Sequence, residues 1–383
     1  MTHEQQFVLE ALRAALKGEP DGMDPWKNTA MDMESAARII VNNGILLTVY
    51  PVLGAFPDLQ SILHDQYYAA VAQSIKQDHE GNHILKALDD AAIDCIALKG
   101  WEMRRLYPDI IMRQMADLDI LVRQYNYPEI KKLMTGLGYS AEPESSWMHD
   151  EFSWNTITVE MHKRLTDDSG EIQKWEKEIW THAVSSVDGT HVLRMSDEDF
   201  YIFHMIHMHN DFLTGRLGLR RIVDTWLSTC KHSELNWAYI DKMFEKMGLS
   251  LFAAHMERLG KAVMGEVEID PNSETLLMYA FQYGINGSLR SYKLCRVAST
   301  PGKNLNSRKR IAVLSAVFMP LNRMKAHFPV LNSFPILLPL CWMIRIFQKL
   351  KLKRTRNLGF LNYSGLNDAD YKEMKRFLEA GGC

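Results

Sequence analysis

Between Lys303 and Arg356 the chain carries twelve lysines and arginines and no aspartate or glutamate. A stretch that cannot neutralise itself is directed at phosphate, nucleic acid or an anionic surface. Cysteine is also scarce. Cys95, Cys230, Cys295, Cys341 and Cys383 are scattered with no CxxC pair, which excludes a disulfide framework and a cysteine-built zinc site. No repeat or low-complexity tract is present. Met1-Thr2-His3-Glu4-Gln5-Gln6 has neither the basic start nor the apolar run of a cleavable leader, so reduced thiols in a cytoplasm are expected. The stretch Ala326–Ile344 has no formal charge, but Pro329, Pro335, Pro339, His327, Asn332 and Ser333 interrupt it. A membrane span needs about 20 mostly apolar residues, so a buried or surface-lying hydrophobic hairpin is expected instead.

What is present is an ordinary globular composition. The chain has 383 residues, 46% hydrophobic and 24% charged, with a net charge of -3, enough for two or three domains with a substantial core. The acidic excess lies at the other end from the basic run. Met1 to Asp90 holds 13 acidic and 6 basic residues.

Helical spacing of apolar residues marks 1–92, as in Phe7, Leu12, Ala15 and Leu16, then Met33–Tyr50 and Tyr67–Leu88. From 93 to 197 the pattern becomes strand, helix, strand, helix, strand. Asp94–Leu98 ends at Lys99-Gly100, a brief helix follows over Glu102–Tyr107, and Asp117–Val122 forms the next strand. A helix over Pro128–Thr135 and a strand over Asn155–His162 complete the set. From Asp197 the chain is helical again, most clearly at Asp199–His209, Leu219–Cys230, Trp237–Met247 and Leu251–Met264. The expected fold is α/β plus α: a small mixed sheet flanked by helical N-terminal and C-terminal regions. The expected divisions are 1–92, 93–197, 198–300 and a basic, apolar 301–383.

The chemistry concentrates around Asp117-Leu118-Asp119. Strand side chains alternate faces, so both carboxylates point one way while Leu118, Ile120 and Val122 point to a core. Two like charges side by side repel unless a cation lies between them. Mg2+ characteristically takes one or two carboxylates plus substrate phosphates. Glu160 is a third carboxylate on a second polar strand face, shared with Thr156, Thr158 and His162. Lys99 offers charge to a phosphate, Gly100 allows close backbone approach, and Arg113 is placed to clamp a triphosphate. This is the set that metal-assisted nucleotidyl transfer needs, with Asp117, Asp119 and Glu160 as Mg2+ or Mn2+ ligands and an NTP as donor. His204, His207 and His209 lack a cysteine partner and read as helix-packing or surface residues rather than a zinc site.

Leu98-Lys99-Gly100, Leu106-Tyr107-Pro108, Arg113, Asp117-x-Asp119 with Ile120-Leu121-Val122, Leu137-Gly138-Tyr139 and Val159-Glu160-x-His162 form an ordered set. It continues at His207 and in Gly218-Leu219-Arg220-Arg221-x-x-Asp224-Thr225. The set resembles the uncharacterised nucleotidyltransferase family of bacteria, within the DNA polymerase β-like nucleotidyltransferase superfamily. The resemblance covers roughly 95–230 and implies a nucleotidyltransferase fold with Asp117, Asp119 and Glu160 as the metal triad. Three features depart from the pattern: the superfamily's Gly-Ser or Gly-Gly turn is here Gly100-Trp101, the arm from that turn to Asp117 is longer than in the wider superfamily, and Asp211 stands where relatives carry a second histidine after His207. His162 is expected to support Glu160, and His207, Arg220 and Asp224 to approach the cleft from the helical part. A second reading keeps the fold without catalysis. It is a scaffold or peripheral protein that lays its 303–356 region on an anionic membrane, at the inner surface. No aromatic-basic motif supports nucleic acid as a partner.

Overall fold

A computed structural model of the chain describes all residues except 143–147, 167–169, 186–188, 232–233, 322–323, 326–327, 329 and 353–362; for residues 231, 316 and 348–352 the backbone alone is described. Two compact units divide it, one of Met1–His209 with Leu217–Asn286, the other of Asn210–Arg216 with Gly287–Cys383.

The first unit is built on a seven-stranded mixed sheet. Its strands are β1 (Cys95–Ala97), β2 (Leu118–Val122), β3 (Ser140–Ala141), β4 (His149–Trp154), β5 (Ile157–His162), β6 (Val184–Ser185) and β7 (Val192–Arg194), in spatial order β3-β4-β5-β2-β1-β7-β6. β2 runs antiparallel to β1 and parallel to β5. The α/β plus α architecture holds, with four more strands than the three expected. β3, β6 and β7 are only two or three residues long, and β4, His-Asp-Glu-Phe-Ser-Trp, has no β-branched residue to announce it. The strand expected from Asp117 begins one residue later, at Leu118. The brief helix after Lys99 comes earlier than expected, at Gly100–Met103, and tightens into a 3-10 turn at Arg104–Leu106.

One face of the sheet is the core. Ala97, Leu118, Ile120, Val122, Phe152, Ile157, Val159 and Met161 pack there against Ile84, Leu85 and Leu88. Those three belong to a 34-residue helix, Pro57–Asp90, about 50 Å long at the usual rise. The same helix holds two loops in place. Gln77, 1% exposed, donates to the carbonyls of Met115 and Ala116 at 3.4 and 3.3 Å, directly before Asp117. Gln73 both donates to and accepts from Thr156, in the β4–β5 turn.

The rest of the first unit is helical, with Asp197–Leu213 and Leu219–Lys231 continuing a little beyond the expected limits. In the second unit, helices Leu289–Ala298 and Asp368–Ala380 each begin with a capping box, Ser288/Ser291 and Asn367/Asp370. Leu294, Val297, Phe377 and Leu378 are buried there. Helices Leu305–Val317, Val330–Ser333 and Leu338–Leu352 also belong to it. Of the basic run, Arg323 and residues 353–356 lie outside the described residues, as do Ala326, His327 and Pro329 of the uncharged stretch. Among the described residues no helix is long and apolar enough to cross a membrane.

Candidate functional site

The polar face of the sheet gathers the carboxylates. Parallel pairing of β2 with β5 sets Asp119 opposite Glu160, and residues opposite one another across a pair project to the same face. Asp117 reaches the same place from the residue before β2. One carboxylate oxygen from each of Asp117, Asp119 and Glu160 lies within 4.8 Å of the others.

Two cations already lean on this group. Lys99 Nζ is 2.5 Å from Asp119 Oδ1 and 4.0 Å from Glu160 Oε2. His162 Nε2 lies 2.8 Å from the same Asp119 oxygen and 3.2 Å from Glu160. Its Nδ1 lies 3.2 Å from the Arg164 carbonyl, an acceptor only. With acceptors near both nitrogens, the surroundings of His162 favour the imidazolium, which donates from both. Burial opposes that charge, but the hydrogen bonds to Asp119 and Glu160 outweigh it and raise its pKa. Asp119 is buried, which alone would raise its pKa, yet Lys99 and His162 hold it well below the usual carboxylate range. Among the described residues no cation bonds directly to Asp117, and Lys99 lowers its pKa only from a distance. Burial, then the charge of Asp119, pushes it up to about 6.

Lys99 is held in an uncommon backbone conformation, φ 44° and ψ -114°. A non-glycine residue there is strained. The turn is fixed on both sides: Leu98 N–H donates to the Asp119 carbonyl at 2.9 Å, and Gly100 sits where a Cβ would come within 2.8 Å of Arg113 Nη1 and Met115 Cγ. Gly100 is therefore a close-approach glycine, needed for packing whatever else it meets. Trp101 has a structural reason too. It is 4% exposed, stacked under Arg104 at 3.9 Å, and seated on Gly81, where a Cβ would lie 2.1 Å from the ring. The position after Gly100 is thus a core position.

His149 was missed in the sequence. Its strand pairs antiparallel with β5, placing His149 opposite His162, and its Nε2 is 3.6 Å from Glu160 Oε1. The signal was present as the alternation His149, Glu151, Ser153, but a strand of that composition is not distinctive. His149, Glu160 and His162 form a second group of possible metal ligands. The hydrogen bonds at both nitrogens of His162 make it the poorer donor set.

The remaining candidates lie elsewhere. Arg113, expected at a phosphate, instead directs Nε and Nη2 to the two oxygens of Asp224 at 2.9 and 2.8 Å. Both residues are buried, at 6% and 0% exposure, so this is an internal bidentate pair rather than a clamp on a ligand. Tyr107 Oη donates to the same Asp224 oxygen at 2.9 Å. Asp224 is held below its ordinary value because Arg113 outweighs the effect of burial. Arg220 donates to the Gln114 carbonyl at 2.6 Å, and Arg221 donates to His207 Nδ1 at 3.0 Å. His204 Nε2 meets Thr225 Oγ1 at 2.9 Å, His209 packs edge-on to Phe252, and Asp211 pairs with Arg216. None of the three histidines joins a metal-type cluster among the described residues.

The site is thus a compact carboxylate group on a sheet face, neutralised in part by Lys99 and His162, over a buried network that ties Tyr107 and Arg113 to Asp224. No curated protein and no solved structure matches the chain. A family model described as an uncharacterised nucleotidyltransferase matches residues 29–265, more than half of the chain and all of these residues. The chain belongs to that uncharacterised nucleotidyltransferase family.

Proposed function

We propose that this chain moves a nucleotidyl group from a nucleoside triphosphate to an acceptor, on a nucleotidyltransferase-type sheet with Asp117, Asp119 and Glu160 at the centre. The observation that carries the reading is the convergence of these three carboxylates within 4.8 Å. An all-oxygen donor set suits a hard divalent cation. Bound there, Mg2+ or Mn2+ would neutralise charge developing on the α-phosphate.

The chain's own residues supply the rest. Lys99, its side chain 22% exposed, is the cation nearest Asp119 and is placed to meet phosphate charge. His162 fixes Asp119 and Glu160 through one ring nitrogen. Glu160 is the carboxylate suited to orient or deprotonate an acceptor. Arg113 and Asp224 act one step away, bracing the arm that leads into Asp117. Incubation with α-labelled NTPs, Mg2+ and a cell lysate tests the reading. Label is expected on an acceptor with wild-type protein and absent with Asp117→Asn/Asp119→Asn. Equal labelling by the two would refute it.

A further inference from the structure

Helix Leu338–Leu352 has two apolar faces, and among the described residues only one of them is covered. Leu338, Cys341, Trp342 and Arg345 share the inner face, by their i, i+3, i+4, i+7 spacing. Leu338, Cys341 and Trp342 belong to a small core with Met324, Leu331 and Phe328. Trp342 Nε1 donates to the Met319 carbonyl at 2.8 Å, and its ring meets Phe318 edge-on. Arg345 donates to the Val317 carbonyl. Half a revolution away, Leu340, Met343, Ile344 and Phe347 repeat the same spacing, and all four are exposed, Phe347 at 70%. Phe334 and Ile336, just before the helix, extend the apolar surface at 59% and 86% exposure.

We propose that this face lies on an anionic lipid bilayer, with the helix parallel to the membrane plane. An apolar helical face within a basic segment of the chain has the composition of an interfacial helix. The charge selects the partner: the run from Lys303 to Arg356 has twelve basic residues and no acidic one, complementary to anionic headgroups. A second copy is a poor occupant. Stacking this face on itself would oppose two runs of like charge with no carboxylate in either to offset them. Crossing is excluded by length. The helix has 15 residues, about 22 Å at the usual rise against a hydrocarbon core of about 30 Å. The inference does not rest on the nucleotidyl-transfer reading.

Flotation of the full chain with vesicles of phosphatidylcholine, alone or mixed with phosphatidylglycerol, tests it. Binding is expected to the anionic vesicles and to fall in high salt. Ile336→Glu with Phe347→Glu should weaken it at least roughly tenfold, with the thermal midpoint unchanged because both side chains are exposed. No binding by the wild type would overturn the proposal, as would equal binding by the double variant. So would a dimer in light scattering that the double variant dissolves, since that would make a second copy the occupant.

Discussion

Asp117→Asn should make the metal-free protein more stable while removing its response to metal. Asp117 sits beside Asp119 and Glu160, and Lys99 offsets their effect only in part. Burial and those charges raise its carboxyl from 3.8 to about 6, a gap worth about 3 kcal/mol at about 1.4 kcal/mol per pH unit. Its partial exposure screens part of this, so a gain of about 1–2 kcal/mol is expected from the neutral side chain. That corresponds to a rise of roughly 2–3 °C in thermal midpoint for a unit of this size. The sign follows from the raised value: the penalty is full above pH 6 and vanishes as Asp117 takes up its proton toward pH 4. Calorimetry in EDTA should therefore place Asp117→Asn above wild type at pH 7.5, with the difference shrinking at pH 5. In Mg2+ the order should reverse, because only the wild type gains binding free energy, about 2.7 kcal/mol at hundredfold excess over Kd. If Asp117→Asn is less stable than wild type in EDTA and equally responsive to Mg2+, the carboxylate is a structural acceptor and the reasoning fails.

The buried Arg113–Asp224 pair gives a further test. Asp224→Ala should cost about 3–5 kcal/mol by stranding Arg113, and Arg113→Met/Asp224→Leu should cost less than the single change; urea denaturation measures both. His204 is buried against Thr225, and burial lowers its pKa to about 4. Folded protein then resists protonation that the unfolded chain accepts, so stability is full above about pH 6.5 and declines toward pH 4. The loss should reach about 3 kcal/mol, and denaturation of His204→Gln across that range should show a flatter profile. Gly81→Ala should lower the thermal midpoint by overpacking Trp101, a cost of about 1–3 kcal/mol. Gly136→Ala, with open space around it, should not.

Much of the α/β centre was legible because β5 alternates polar and apolar residues strictly and Asp117 to Ile120 do so leading into β2, and the core residues they imply are the buried ones. Asp119, Glu160 and His162 were readable for the same reason, as members of polar strand faces. Their closeness was not, since it depends on the parallel pairing of two strands separated by a helix and a hairpin. The role of Arg113 escaped for a similar cause: its partner lies 111 residues away. A buried arginine and an exposed phosphate-binding one look alike in sequence. Trp101 looked like a departure at a phosphate turn, and only Gly81, on a distant helix, shows that the ring has a seat. His149 was hidden by a strand whose composition gives no β signal. The outward face of helix Leu338–Leu352 was visible as an uncharged stretch, but which side is covered required the packing of Cys341 and Trp342.

The central claim is that Asp117, Asp119 and Glu160 together hold a divalent cation for use with a nucleotide. Electron paramagnetic resonance of Mn2+ titrated into the protein, with and without a non-hydrolysable NTP, measures this directly. Wild-type protein should take up Mn2+ and hold it more tightly with nucleotide, while Asp117→Asn/Asp119→Asn should leave the ion free. Unchanged Mn2+ uptake by the double variant, with an unchanged response to nucleotide, would contradict the account.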